Sequence, residues 1–174
     1  MMFTKPIHLI NIVAVSRNGI IGVDGKLPWR MKTELQEFVH SIKGFKLLMG
    51  RKTCESLPRK QNKEQNFVLT NDKSFSKEDY TTIHSIYDLE KFVREDEPVY
   101  IIGGGSLYEQ VLALEGQPNV TITNQVTYVD KFITPGNDTV RFPLGVLEDS
   151  YCRTYLTRGI DDGVEWRKYL YYKN

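Results

Sequence analysis

A chain of 174 residues with 40% hydrophobic content is long enough for one buried core and short for two, so a single domain is expected. Its formal net charge of +1 provides no field that would steer it to nucleic acid or a membrane surface, which leaves small molecules as the expected partners. Two cysteines far apart in sequence and three scattered histidines, with no ligand spacing among them, argue against a disulfide frame or a zinc site and suit a reducing cytoplasm.

The apolar run from Ile7 to Val15 is interrupted by His8 and Asn11 and is followed by no small-residue cleavage site. It reads as a buried first strand and not as a secretion signal. No run of about 18 apolar residues follows that would span a bilayer. Arg17 to Gly25 reads as a glycine-punctuated loop with two exposed isoleucines, Ile20 and Ile21, long enough to move over a site. Pro28 then stiffens the chain, and Trp29 offers either a ligand face or an anchor of the loop to the core. A helix is expected over residues 33–42, with Thr33 and Gln36 at capping-box spacing and Leu35, Phe38, Val39 and Ile42 on one apolar face. At roughly 100° per residue, Glu34 falls about 90° from the centre of that stripe, while Glu37 falls about 150° away. Glu34 is therefore the acid able to enter a pocket; a solvated charge favoured by the helix dipole is the alternative.

Phe45 to Met49 reads as a second buried strand. It runs into Gly50, Arg51, Lys52 and Thr53 at the start of a short helix, where two cations and a hydroxyl suit an anion such as a phosphate. A solvated basic turn is the other reading. A strand at 67–69 ends on Thr70, Asn71 and Asp72, and a short strand near 81–83 and a helix over 85–94 follow. Val99 to Ile102 then forms a central strand running into Gly103, Gly104 and Gly105. Ser106 and Glu109 have capping-box spacing, and a helix face of Leu107, Tyr108, Val111 and Leu112 follows. Three glycines between a strand and a helix let a ligand touch the main chain and aim free amide groups at an anion, although a tight turn packed on the sheet would need them as well. The usual dinucleotide fingerprint fails here, since Tyr108 stands where its third glycine belongs. Residues 119–126 alternate as a strand that points Thr123 with Thr121 and Gln125. Residues 151–158 and 164–172 form a C-terminal hairpin closing one sheet edge.

In this order and spacing, Ile21-Gly22, Gly25, Leu27-Pro28-Trp29, Glu34, Leu48 to Arg51 with Thr53, Glu55 and Ser56, Asn66 to Leu69, Ile102 to Gly105 with Tyr108, Thr123, and Asp138-Thr139 resemble the dihydrofolate reductase family over nearly the whole chain. The resemblance implies an α/β fold: a mostly parallel eight-stranded sheet with an antiparallel C-terminal strand and about four flanking helices. It implies NADPH-dependent reduction of dihydrofolate for one-carbon metabolism and thymidylate synthesis, in a cytoplasmic monomer open to antifolate inhibitors, with no metal.

By the same resemblance, Glu34 would hold the pterin's 2-amino group and N3, with Thr123 and Trp29 acting through waters. Ile12 and Ile102 would offer backbone carbonyls, Leu35, Phe38 and Leu57 would wall the ring system, and Leu27 would belong to a mobile loop that excludes water. Ala14, Ile20 and Gly103 would line nicotinamide, with Gly22 and Gly25 in the loop beside it. Arg51, Lys52, Thr53, Leu69, Thr70 and Asn71 would meet the cofactor's phosphates and adenosine, and Gly104, Gly105, Ser106, Leu107 and Tyr108 its pyrophosphate. The Gly103–Gly104 peptide would be cis. Four positions depart from the pattern: Cys54 replaces an aromatic, Gln61 an apolar residue, and Glu64 the arginine that grips the substrate's glutamate tail, while Asp72 sits where enzymes using NAD often carry an acid. Lys63, Arg59 and Lys60 are the nearest substitutes for the missing guanidinium. Two other readings keep parts of the pattern. A reductase of the same fold acting on a pyrimidine in riboflavin synthesis would lack Leu-Pro-Trp and Glu34, and a noncatalytic nucleotide-binding protein would lack Glu34, Thr123 and the apolar walls.

Overall fold

The computed structural model describes residues 1–57 and 62–174, so the expectations placed on Arg59, Lys60 and Gln61 lie outside the described residues. The elements run β1 (Ile7–Val15), β2 (Ile20–Val23), α1 (Lys32–Ile42), β3 (Lys46–Gly50), α2 (Arg51–Ser56), β4 (Asn66–Leu69), β5 (Thr81–Ile83), a 3₁₀ helix (Ile86–Lys91), β6 (Pro98–Ile101), α3 (Gly105–Leu112), β7 (Val120–Val129), β8 (Thr139–Arg141), α4 (Leu144–Ser150), β9 (Cys152–Asp161) and β10 (Val164–Tyr172). Eight strands form one sheet in the order β5-β4-β3-β6-β1-β7-β10-β9. β1, β3, β4, β5 and β6 pair in parallel, while β10 pairs antiparallel with both β7 and β9. The expected α/β class holds.

The residues group into two compact units, Met1–Asn11 with Gly44–Ile122, and Ile12–Lys43 with Thr123–Asn174. In the first, Leu48, Met49, Val68, Val99 and Ile101 are fully buried, and the register sets Leu48 opposite both Phe67 and Ile101. Such continuous apolar runs are what strands covered on both faces require. In the second, Ile20, Trp29, Met31, Val129, Ile133 and Trp166 pack into one cluster. β9 and β10 join through Asp162 and Gly163, both at positive φ (48° and 80°), the handedness that suits a tight hairpin between twisted strands.

Several local expectations are corrected. The stretch read as a loop with exposed isoleucines contains β2, which pairs antiparallel with β8, and Ile20 is completely buried while Ile21 is half-buried. Four residues of strand are too few to show a period. The helix expected over 85–94 is a 3₁₀ segment in which Ser85 accepts the Tyr87 N–H. Neither capping box forms: α1 follows Met31 and α3 follows Gly104, each without a side-chain cap bond.

Candidate active site

Helix α1 carries the expected acid, Glu34. Among its residues only Glu34 is buried, at 7% exposure, whereas Leu35 and Val39 are 55% and 53% exposed and Phe38 is half-buried. Leu35 and Val39 of the apolar stripe are thus left exposed, while the acid at its margin is buried. The reason lies on the hairpin. Thr33 N–H donates to both oxygens of Asp161, at the end of β9, at 3.0 and 3.1 Å, Thr33 Oγ1 donates at 2.8 Å, and Glu34 N–H reaches the same carboxylate at 3.3 Å. Trp166 Nε1 in turn donates to Thr33 Oγ1 at 2.9 Å. One turn on, buried Lys168 of β10 donates to Ser41 Oγ at 2.6 Å and to Glu37 Oε1 at 3.3 Å. These bonds fix the rotation of α1 about its axis.

The electrostatics follow from that placement. Burial, and then the Asp161 charge, push the Glu34 carboxyl up to about 7, against the opposing pull of the Trp29 N–H and the Lys168 ammonium. A buried acid whose titration is moved toward neutrality is a candidate for a working site. Lys168 is itself lowered by burial, with Glu37 and then Glu34 opposing. Trp29 is buried, with its indole N–H beside the acid.

In the other unit the glycine turn forms as expected, with the Gly103–Gly104 peptide cis and Gly103 at φ +112°. Gly50 N–H donates to Gly103 O at 2.8 Å, and a Cβ built on Gly50 would lie 3.7 Å from that oxygen. This contact brings the start of α2 beside the start of α3. A Cβ on Gly104 would come no closer than 4.0 Å to its nearest neighbour among the described residues, the Thr53 hydroxyl. An uncapped helix start, a glycine surface and a hydroxyl fit the pyrophosphate of a dinucleotide. Tyr108 closes the turn from below; its buried ring lies 3.2 Å, at the hydroxyl, from where a Cβ on Gly103 would stand, and burial pushes that hydroxyl well above its usual range.

Arg51 is not waiting for an anion alone. Its guanidinium lies 2.9 Å from Asp72 Oδ2 and 3.4 Å from Glu55, and it stacks over Phe75 at 5.2 Å. Ser74 holds the other Asp72 oxygen through its hydroxyl and N–H, and these bonds, more than Arg51, hold the Asp72 carboxyl below its ordinary range. Lys52 is exposed and makes no ion pair among the described residues.

The remaining expected residues fall as follows. Ile12, Ala14, Ile20, Gly22, Gly25, Leu27, Trp29, Glu34, Leu35, Phe38 and Thr123 belong to the second unit. Leu57, Leu69, Thr70, Asn71, Ile102, Ser106 and Leu107 belong to the first. Ile20 is completely buried, in the cluster with Trp29 and Trp166. Leu27 is 55% exposed, as a loop residue able to move would be. Sequence reading passed over Asp161, Trp166 and Lys168. No local signal marks them, because their partners lie more than a hundred positions away.

A family model described as dihydrofolate reductase matches residues 8–142. A dihydrofolate reductase of Staphylococcus haemolyticus is 30% identical over 161 residues, covering 92% of this chain and 90% of that protein. One from Mycoplasma genitalium is 34% identical over 131 residues, covering 72% and 82%. Among solved structures, a dihydrofolate reductase from Enterococcus faecalis complexed with NADP(H) and RAB-propyl aligns with a TM-score of 0.71 over 100% of this chain and 99% of that one, at 20% identity, which shows a shared fold.

Proposed function

Because the chain belongs to the dihydrofolate reductase family, we infer that it reduces 7,8-dihydrofolate to 5,6,7,8-tetrahydrofolate with NADPH. The observation that carries this reading is Glu34, the buried acid raised to about 7 on a helix that leaves Leu35 and Val39 exposed. In that role Leu35 and Phe38 need a cover, and the flat rings of a pterin supply one. Leu57 and the main-chain carbonyls of Ile12 and Ile102 complete the substrate set.

Glu34 accepts hydrogen bonds from the pterin's 2-amino group and N3, which orients the ring and favours a proton at N5. Thr123 and Trp29 serve it through waters. NADPH supplies the hydride when bound. Gly104, Gly105, Ser106, Leu107 and Tyr108 hold its pyrophosphate, Thr53, Leu69, Thr70 and Asn71 its adenosine side, and Arg51 and Lys52 its 2′-phosphate. Ala14, Ile20 and Gly103 line the nicotinamide, with Gly22 and Gly25 in the adjoining loop. Leu27 closes with that loop and excludes water, which strengthens every polar contact inside.

The two units work as one domain in this reading, supported by β1, which contributes residues to both. A cytoplasmic monomer inhibited by antifolates completes it; both cysteines are free, as a reducing compartment allows. Loss of reduced-nicotinamide absorbance with purified protein and dihydrofolate, in chelator, tests the activity. Glu34→Gln, which keeps the shape and removes the charge, should slow hydride transfer roughly 10²-fold at neutral pH, with partial rescue in acid where the substrate arrives protonated. Folded protein with no turnover would refute the assignment.

A further inference from the structure

We propose that Asp161, at the end of β9, is a positioning residue for Glu34: its carboxylate fixes the first turn of α1 through the Thr33 and Glu34 amides, and its charge sets the field in which Glu34 gains and loses a proton. The inference rests on the reductase reading for its catalytic consequence but not for its physical basis.

The geometry singles out Asp161 over other acids. It makes three backbone N–H contacts and one hydroxyl contact, all to the two residues Thr33 and Glu34, and the Thr33 hydroxyl is pinned from its other side by Trp166. A carboxylate at the start of a helix is the standard partner of its free amides, but here it comes from 127 positions away and replaces a local cap that does not form. Burial tends to raise Asp161, but the bonds from Thr33 and Glu34, with Lys32 adding to them, outweigh it and leave the group below the ordinary carboxylate range. Asp161 is thus a fixed negative charge wherever the protein is folded near neutrality.

The groups acting on Glu34 are then Asp161 from β9, Lys168 from β10 and the indole of Trp29, while on its own helix Lys32 acts on Asp161 and Glu37 pairs with Lys168. Asp161 favours the protonated acid; Lys168 and Trp29 oppose it. Two adjacent strands of one hairpin therefore act on the same carboxyl with opposite sign, one gripping the start of α1 and the other the turn beyond. The design holds Glu34 inward while keeping it neutral enough to remain buried.

The test compares Asp161→Asn, which keeps an acceptor for the amides and loses the charge, with Asp161→Ala, which loses both. In protein labelled with ¹³C at glutamate carboxyls, the Glu34 signal, assigned by its absence in Glu34→Gln, is titrated without substrate. Both variants should lower its midpoint by roughly one pH unit, the scale of a close charge in a partly solvated setting. Only the Ala variant should lose hydrogen-exchange protection in the first turn of α1. The pH profile of single-turnover hydride transfer should move in the same direction. Should Asp161→Asn fail to fold, Asp161→Ser keeps an acceptor and gives the same comparison. An unmoved Glu34 midpoint in both variants overturns the proposal. A protein that reduces no dihydrofolate refutes the reductase reading instead, and the titration still decides this one.

Discussion

Replacing Glu34 should make the protein more stable in mild alkali while crippling it. A carboxyl free in the unfolded chain titrates near 4.5, and burial with the nearby Asp161 charge raises Glu34 to about 7 in the folded state. Between those values the folded protein holds the proton that the unfolded chain releases, so its stability must fall as pH rises through the window. Integrated from pH 5 to pH 8, a shift of that size removes about 2.5 kcal/mol. Glu34→Gln cannot ionise and escapes the loss. Urea unfolding of parent and variant at pH 5 and pH 8 should therefore show the variant gaining about 2.5 kcal/mol on the parent between the two, equivalent to roughly 5–10 °C in Tm for a chain of this size. Groups remote from Glu34 titrate equally in both proteins and cancel in the difference. Glu34 is 7% exposed, so solvent screening takes little from the figure. A stability difference that stays flat across the window would mean that Glu34 is ionised and compensated when folded, and the charge argument for its role would fail with it.

Three further outcomes follow from the cofactor half and the substrate's tail. Arg51→Ala with Lys52→Ala should weaken NADPH far more than NADH, and Asp72→Asn should sharpen the preference for NADPH by freeing the guanidinium now held at 2.9 Å; equal effects on both dinucleotides in binding titrations would remove these residues from 2′-phosphate recognition. Gly103→Ala should cost about 1–3 kcal/mol of stability and most cofactor affinity, because φ of +112° excludes a side chain and the new methyl would press on the Tyr108 hydroxyl at 3.2 Å; an unchanged Tm would refute it. Glu64→Arg should lower KM for dihydrofolate roughly 10-fold with kcat unchanged, if the exposed Glu64 stands near the glutamate tail, and an unchanged KM and salt dependence would place the tail elsewhere.

The parallel strands were legible because burial on both faces leaves a continuous apolar run, and such a run needs no partner to be recognised. Ile7–Val15, Lys46–Gly50 and Pro98–Ile101 show this, as does the glycine turn, where backbone freedom is written into residue identity. β2 and β8 were missed for the opposite reason: four and three residues are too short for a period, and each is a strand only because the other pairs with it.

The helix α1 is the more instructive case. Periodicity placed its apolar stripe around the axis but could not say what covers it, and Leu35 and Val39 are exposed. An amphipathic pattern states that one side of a helix seeks cover; it does not state whether the cover is protein or ligand. Here the hairpin decides, by seizing the amides of Thr33 and Glu34 with Asp161 and the next turn with Lys168. Neither contact leaves a trace in the local sequence, because an acid beside a hairpin turn and a lysine in a strand look like ordinary surface residues. The same separation explains why the residue type of Glu34 could be read while its proton affinity could not. A carboxylate's identity is local, but the field that moves its titration to about 7 is assembled from β9, β10 and the Trp29 loop, which only the folded chain brings together.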